Sequence, residues 1–184
     1  FFSLVLIAIS CIIMGAGIPT TATYIILVAV AAPALAQLGI EPLVAHFFVF
    51  YYGVLADITP PVALAAYAAS GIAKSNPFKT GNTAFRLGIA KALVPFVFVY
   101  SPSLLLITGD FEIYKLVVTL VGVLIGIALL GIAFTGYFLS NLNNYQRWII
   151  GFGSLFFVAP GIKTMIVGSL ISLPILIYQY LKKN

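Results

Sequence analysis

Long apolar stretches dominate this 184-residue chain, and short breaks rich in glycine, proline or charge separate them. The apolar residues run continuously and do not alternate with polar ones, which predicts helices rather than the ~10-residue alternating strands of a transmembrane barrel. One crossing needs about 20 apolar residues, so each stretch predicts one helix or one arm of a hairpin. The stretches cover residues 1–14, 20–38, 42–55 with a continuation at 62–73, 92–108, 115–139 and 148–181.

Composition turns this pattern into a fold class. The chain has nine basic and four acidic residues, 62% of it is hydrophobic, and its mean hydropathy is +1.18. A soluble domain carries about a quarter charged residues, so this composition excludes a soluble domain. It predicts an all-α integral membrane protein in contact with the lipid bilayer. The single Cys11 excludes a disulfide scaffold. The dispersed net charge of +5 excludes a nucleic-acid partner.

The basic residues indicate how the chain is organised. Between residues 74 and 91 it has four of its nine basic residues and no acid, which predicts a cytoplasmic amphipathic segment by the positive-inside rule. We divide the chain at residue 106, and residues 107–184 are predicted to be additional transmembrane helices without an assigned role. The first part is predicted to contain a hairpin, a broken helix, this segment and a further helix, at residues 1–38, 42–73, 74–91 and 92–108.

The first two stretches predict a re-entrant hairpin. Residues 1–14 cover only about 21 Å at 1.5 Å per residue, whereas the hydrocarbon core is about 30 Å thick. The sequence from Gly15 to Pro19 joins the two arms and breaks the helix. Such a tip exposes unpaired backbone groups, which the membrane tolerates only where protein or a water-filled cavity surrounds them.

Two helix breaks within apolar stretches are the positions best suited to bind a ligand. At a broken helix the carbonyls of one half and the amides of the next half point into the gap with opposite partial charge. Pro19 is predicted in the first turn of the second arm, beside the hydroxyls of Thr20, Thr21 and Thr23. Thr59, Pro60 and Pro61 form a similar break, which the small Gly53 and Ala56 precede. The alternative interpretation is that both breaks are simple proline kinks.

Asp57 is the only carboxylate deep within an apolar stretch. An intramembrane acid indicates a functional site, and Asp57 is predicted to support a cation site or to cap the half-helix that follows. The sole histidine, His46, and Cys11 are interpreted as packed residues. The sequence contains no nucleotide-binding loop, metal-ligand cluster or catalytic triad, so no enzymatic activity and no cofactor are expected.

At these two breaks the chain resembles a known family. The sequences from Gly15 to Tyr24 and from Asp57 to Val62 resemble the large permease subunit of TRAP (tripartite ATP-independent periplasmic) transporters, and most closely the variety with fused small and large membrane subunits. Phe85-Arg86-Leu87-Gly88, with Pro95-Phe96 and Tyr100, adds to the similarity. The resemblance covers residues 1–106.

The resemblance implies an elevator-type importer of organic acids that is coupled to sodium and lies in the bacterial or archaeal inner membrane. An extracytoplasmic solute-binding protein would deliver the substrate. The transport domain of the family contains two inverted repeats. This chain would be the C-terminal part with the second repeat, and its partners would include the first repeat and the small-subunit region upstream.

The resemblance also implies roles for individual residues. Backbone groups around the breaks would frame a sodium site, at Gly15, Gly17, Ala56, Thr59 and Val62, with Asp57 beside it. The substrate would meet the half-helix N-termini, at Thr20, Thr21, Thr23 and Pro60. Two alternatives stay open: another ion-coupled dicarboxylate carrier that needs no binding protein, and a membrane scaffold that transports nothing.

Overall fold

The computed structural model describes residues 1–106, 112–157 and 161–183, and the regular structure of these residues is helical apart from an isolated bridge between Tyr137 and Asn141. The chain divides into two compact units, Phe1–Val99 (unit 1) and Tyr100–Asn184 (unit 2). The helices are α1 (Phe2–Gly15), α2 (Thr20–Gln37), α3 (Pro42–Ala56), α4 (Leu64–Ile72), α5 (Pro77–Gly88), α6 (Val94–Tyr100), α7 (Ile113–Thr135), α8 (Asn144–Leu155) and α9 (Ile162–Lys183), with 3-10 turns at Ile89–Leu93 and Pro102–Leu105.

Four helical stretches in the described ranges are long and apolar enough to cross a membrane: Thr20–Gln37, Pro77–Tyr100, Ile113–Thr135 and Ile162–Lys182. The helices α1 and α3 are apolar but shorter. This architecture confirms the predicted fold class, an all-α integral membrane protein. The re-entrant course of the hairpin through a membrane stays a prediction.

The stretch Pro77–Tyr100 differs from the predicted segments at 74–91 and 92–108, because α5, a 3-10 turn and α6 form one helical run. Pro95 lies in the first turn of α6, where the missing N–H costs little. The run ends at Tyr100, since Pro102 disfavours helical backbone at the preceding residue and Ser101 is not helical, with φ −141° and ψ 72°. Residues 107 and 108 of the predicted helix lie outside the described residues.

In unit 1 the two arms of the hairpin pack on α3. Each arm buries one narrow stripe of residues spaced three or four apart, which is the spacing of one helix face. These residues are Leu4, Ala8, Cys11 and Gly15 on α1, and Thr23, Leu27, Ala31 and Leu35 on α2. The other faces of both arms stay apolar and exposed, as expected of helices that face lipid.

In unit 2 α7 packs on α8 and α9 through two glycines. A Cβ at Gly126 would lie 3.0 Å from the Cβ of Phe157, and one at Gly122 would lie 3.3 Å from the sulfur of Met165. The Gly-x-x-x-Gly spacing therefore marks a close helix contact, as small residues at this spacing do in membrane proteins.

Candidate functional site

The hairpin tip, residues 15–19, is a tight turn between α1 and α2. Gly17 has a φ of +83°, a left-handed conformation that glycine adopts without steric cost. Pro19 precedes the first helical residue of α2 with a φ of −55°, which suits proline. Among the residues that the structure describes, none donates a hydrogen bond to the carbonyl oxygens of Ala16 and Gly17. The tip therefore presents two open acceptors.

The helix break, residues 57–63, separates α3 from α4. The Thr59 hydroxyl donates to the Leu55 carbonyl at 2.7 Å, and the Thr59 amide donates to the Ala56 carbonyl at 3.1 Å. The Pro60–Pro61 peptide bond is cis. The break ends at Ala63, a fully buried residue in left-handed conformation.

The hairpin tip packs directly against α3 and the helix break. A Cβ at Gly15 would lie 2.9 Å from the Thr23 methyl, 3.1 Å from the Ala56 Cβ and 3.4 Å from the Gly53 carbonyl oxygen. A Cβ at Gly17 would lie 3.3 Å from a methyl of Val62. Only small residues at the tip permit this approach, so the two breaks predicted separately from the sequence form one constellation.

The structure shows what surrounds each of the residues predicted to frame a sodium site. Gly15, Gly17, Ala56 and Val62 come together at the contact between tip and break. The Thr59 side chain is half-buried and turned back on the last turn of α3. Asp57 is half-buried as well. Its side chain does not cap the next half-helix, because α4 begins at Leu64, after Ala63, and has no side-chain cap. Its carbonyl, however, accepts from the Ala65 amide in the first turn of α4 at 3.1 Å.

The residues predicted to meet the substrate divide into two groups. Thr20 and Thr21 are exposed in the first turn of α2, and Pro60 is half-buried in the break. Thr23 is only 2% exposed, and its hydroxyl donates to the Ile18 carbonyl at 3.0 Å. Its methyl fills the space beside Gly15. The structure therefore places Thr23 inside the contact between helices and not beside Thr20 and Thr21.

The two helix N-termini at this constellation have no side-chain cap. Pro19 precedes α2 and Ala63 precedes α4, and neither residue has a side-chain acceptor. In the first turn of α2 the amides of residues 20–22 have no acceptor among the described residues. In α4 the Ala65 amide donates to the Asp57 carbonyl at 3.1 Å, and the amides of Leu64 and Ala66 have no acceptor there. Such amides carry a partial positive charge and are available to an anion. In the described ranges no three His, Cys, Asp or Glu side chains are grouped so that they could hold a metal ion.

Sequence reasoning missed a polar contact between the second arm and α3. The Tyr24 hydroxyl lies 2.7 Å from Nδ1 of His46, and the Tyr24 ring packs edge-on against Phe50. The two partners are far apart in the chain, so no local pattern could reveal the bond. The contact fixes α2 against α3 close to the hairpin tip.

Comparison with protein families gives a match over residues 1–113, to the family described as "Tripartite ATP-independent periplasmic transporter, DctM component". The matched segment contains the hairpin, the helix break and all the predicted site residues. No curated protein and no solved structure matches the chain.

Proposed function

The chain belongs to the DctM family, the permease component of tripartite ATP-independent periplasmic transporters, and we propose that it helps import organic acids with sodium as the coupling ion. A solute-binding protein on the outer face of the inner membrane delivers the substrate. The single observation that carries this proposal is the contact of the hairpin tip with the helix break. It brings open carbonyls and uncapped helix N-termini to one place.

Sodium is proposed to bind where oxygens of both breaks converge. Unwound carbonyls and helix C-terminal ends hold Na⁺ in secondary transporters that have discontinuous helices. Here the open carbonyls of Ala16 and Gly17 lie on one side, and the Gly53 carbonyl faces Gly15 from the other. The Thr59 hydroxyl keeps its lone pairs free, because it uses its proton in the bond to Leu55.

The substrate carboxylate is proposed to bind at the N-termini of α2 and α4. Uncapped helix N-termini attract anions through their free amides and the helix dipole. The contact between Gly17 and Val62 brings the residues just before both helices together. Thr20 and Thr21 add exposed hydroxyls on the first turn of α2. Charge of opposite sign on the adjacent sodium would favour binding of both.

The test measures uptake by the assembled transporter in proteoliposomes, with its binding protein and an imposed sodium gradient. Thr59→Val removes the hydroxyl and preserves the shape of the side chain. We expect its apparent sodium affinity to fall about tenfold, which corresponds to ~1.4 kcal/mol for one lost oxygen ligand.

Thr83→Val is the matched control, because the Thr83 hydroxyl makes the same kind of bond to the carbonyl four residues earlier, on α5. Unchanged sodium dependence of Thr59→Val, at normal expression, would count against the sodium site. Uptake without the binding protein would favour a carrier that needs none. No uptake under any condition would favour the scaffold.

A further inference from the structure

Unit 2 contains a cleft of about 530 Å³ between the C-terminal end of α7 and the length of α8. Its size is typical of small-molecule sites. Apolar side chains of both helices form its walls, among them Leu130, Phe134, Gly151 and Leu155. Two polar side chains, Asn144 and Arg147, lie at one end. The cleft lies beyond residue 113, where the family match ends.

Arg147 carries a charge that has no anionic partner in the described part of unit 2. Its Nε donates to the Ala133 carbonyl at 2.8 Å and its Nη2 to the Phe134 carbonyl at 3.0 Å. A guanidinium has five N–H donors, so further donors stay available. Glu112 is the only carboxylate among the described residues of this unit, and it pairs with Lys115 at the opposite end of α7.

The contact of Arg147 with the end of α7 indicates its depth in the membrane. The 23 residues of α7 cover about 35 Å, slightly more than a hydrocarbon core of about 30 Å, so the ends of the helix reach the interfaces. Arg147 bonds to the last turn of α7. Trp148 and Tyr145, 80% and 84% exposed, lie beside it, as aromatic residues do at an interface. From Arg147 the cleft follows α8 to Leu155, a distance of about 12 Å.

We propose that this cleft binds an anionic phospholipid, with the phosphate on Arg147 and Asn144 and one acyl chain along the apolar walls. The cleft has its charge at headgroup depth and apolar walls deeper, which is the order of a phospholipid. A protein segment in the cleft would have to bring its own anion to Arg147. A bilayer supplies phosphate at this depth without a further partner.

The test uses the fluorescence of Trp148, the only tryptophan of the 184-residue chain. The chain is reconstituted into phosphatidylcholine vesicles that contain a minor fraction of phosphatidylglycerol with brominated acyl chains, which quench tryptophan. We expect saturable quenching with about fivefold preference over brominated phosphatidylcholine, the size expected for one basic residue near an anionic lipid. Equal quenching by the two lipids would overturn the proposal, since it shows contact with bulk lipid only.

Two pairs of variants separate the headgroup from the acyl chain. Arg147→Gln is expected to abolish the preference, and Lys163→Gln, a basic residue outside the cleft, to retain it. Gly151→Leu fills the cleft and should abolish the preference for phosphatidylglycerol. Gly151→Ala should retain this preference, because a Cβ there meets only Ala133, at 3.6 Å.

A preference that survives Gly151→Leu would overturn the acyl-chain site. Inorganic phosphate added to the same vesicles should leave the preference unchanged. Loss of the preference on addition of phosphate would identify a site for free anions and would contradict the proposal. A Trp148 that brominated lipid does not quench would indicate a protein occupant and would contradict it as well.

Discussion

The helix ends at the junction of α7 and α8 in unit 2 differ from those at the hairpin tip and the helix break in unit 1. In unit 2 the side chains of Asn143 and Gln146 form a capping box at the start of α8, and Arg147 caps two carbonyls at the end of α7. In unit 1 no side chain caps the N-termini of α2 and α4 at the hairpin tip and the helix break. A cap contributes about 0.5–2 kcal/mol, so unit 1 forgoes stability at these two places.

The difference indicates what the open ends are for. Backbone groups without a partner are costly within a membrane, and they persist where protein or a polar cavity surrounds them. In unit 1 they occur where the tip and the break meet, next to small residues that let the backbones approach. In unit 2 polar side chains serve stability, as in the bonds of the buried Gln179 with Ser140 and Gln146. Capping thus separates the packed junction of α7 and α8 from the proposed binding site. It does not divide the units as a whole, because Asn76 caps α5 in unit 1 and α7 has no side-chain cap.

The largest effect is expected from Gly15→Val, which forces the hairpin tip away from the helix break. The new Cβ alone would lie 2.9 Å from the Thr23 methyl, and overpacking of this kind costs about 1–3 kcal/mol. We expect substrate uptake by the assembled transporter in proteoliposomes to be abolished. The control is Gly71→Val on α4, where an added Cβ meets nothing within 4 Å. Normal uptake by well-expressed Gly15→Val would show that the contact is dispensable.

A smaller effect on transport, with a loss of stability instead, is expected from Arg147→Met. The change removes two charge-assisted bonds to α7, and hydrogen bonds to charged groups contribute about 1.5–3 kcal/mol each. The thermal unfolding of the purified chain in detergent should shift to lower temperature. Arg86→Met, at an exposed position on α5, is the control. An unchanged unfolding temperature would mean that Arg147 does not serve as a cap.

The breaks could be predicted from the sequence because glycine and proline act locally. Gly15 to Pro19 interrupts any helix, and Thr59 to Pro61 does the same, whatever surrounds them. The close packing at Gly122 and Gly126 has a similar local origin, since two small residues one turn apart create a flat surface. These features depend on neighbours in the chain, and the sequence contains them completely.

Contacts between distant residues could not be predicted in the same way. The bond of Arg147 to the end of α7 and that of Tyr24 to His46 depend on how helices are placed next to each other. The side-chain cap predicted at Asp57 was wrong because the break continues to Ala63, further than the prolines required. Thr23 was grouped with Thr20 and Thr21 by composition, although its spacing of four residues from Leu27 places it on the buried face.

The smallest effect is expected from Thr23→Val, which separates the two roles assigned to this residue. Valine preserves the methyl beside Gly15 and removes only the hydroxyl that donates to Ile18, a loss of about 1 kcal/mol. We expect slightly lower thermal stability in detergent and near-normal substrate uptake, with Thr83→Val as the exposed control. If uptake is lost while the unfolding temperature stays unchanged, Thr23 contacts the substrate as the sequence predicted. The substrate site would then extend from the exposed first turn of α2 into the contact between its helices.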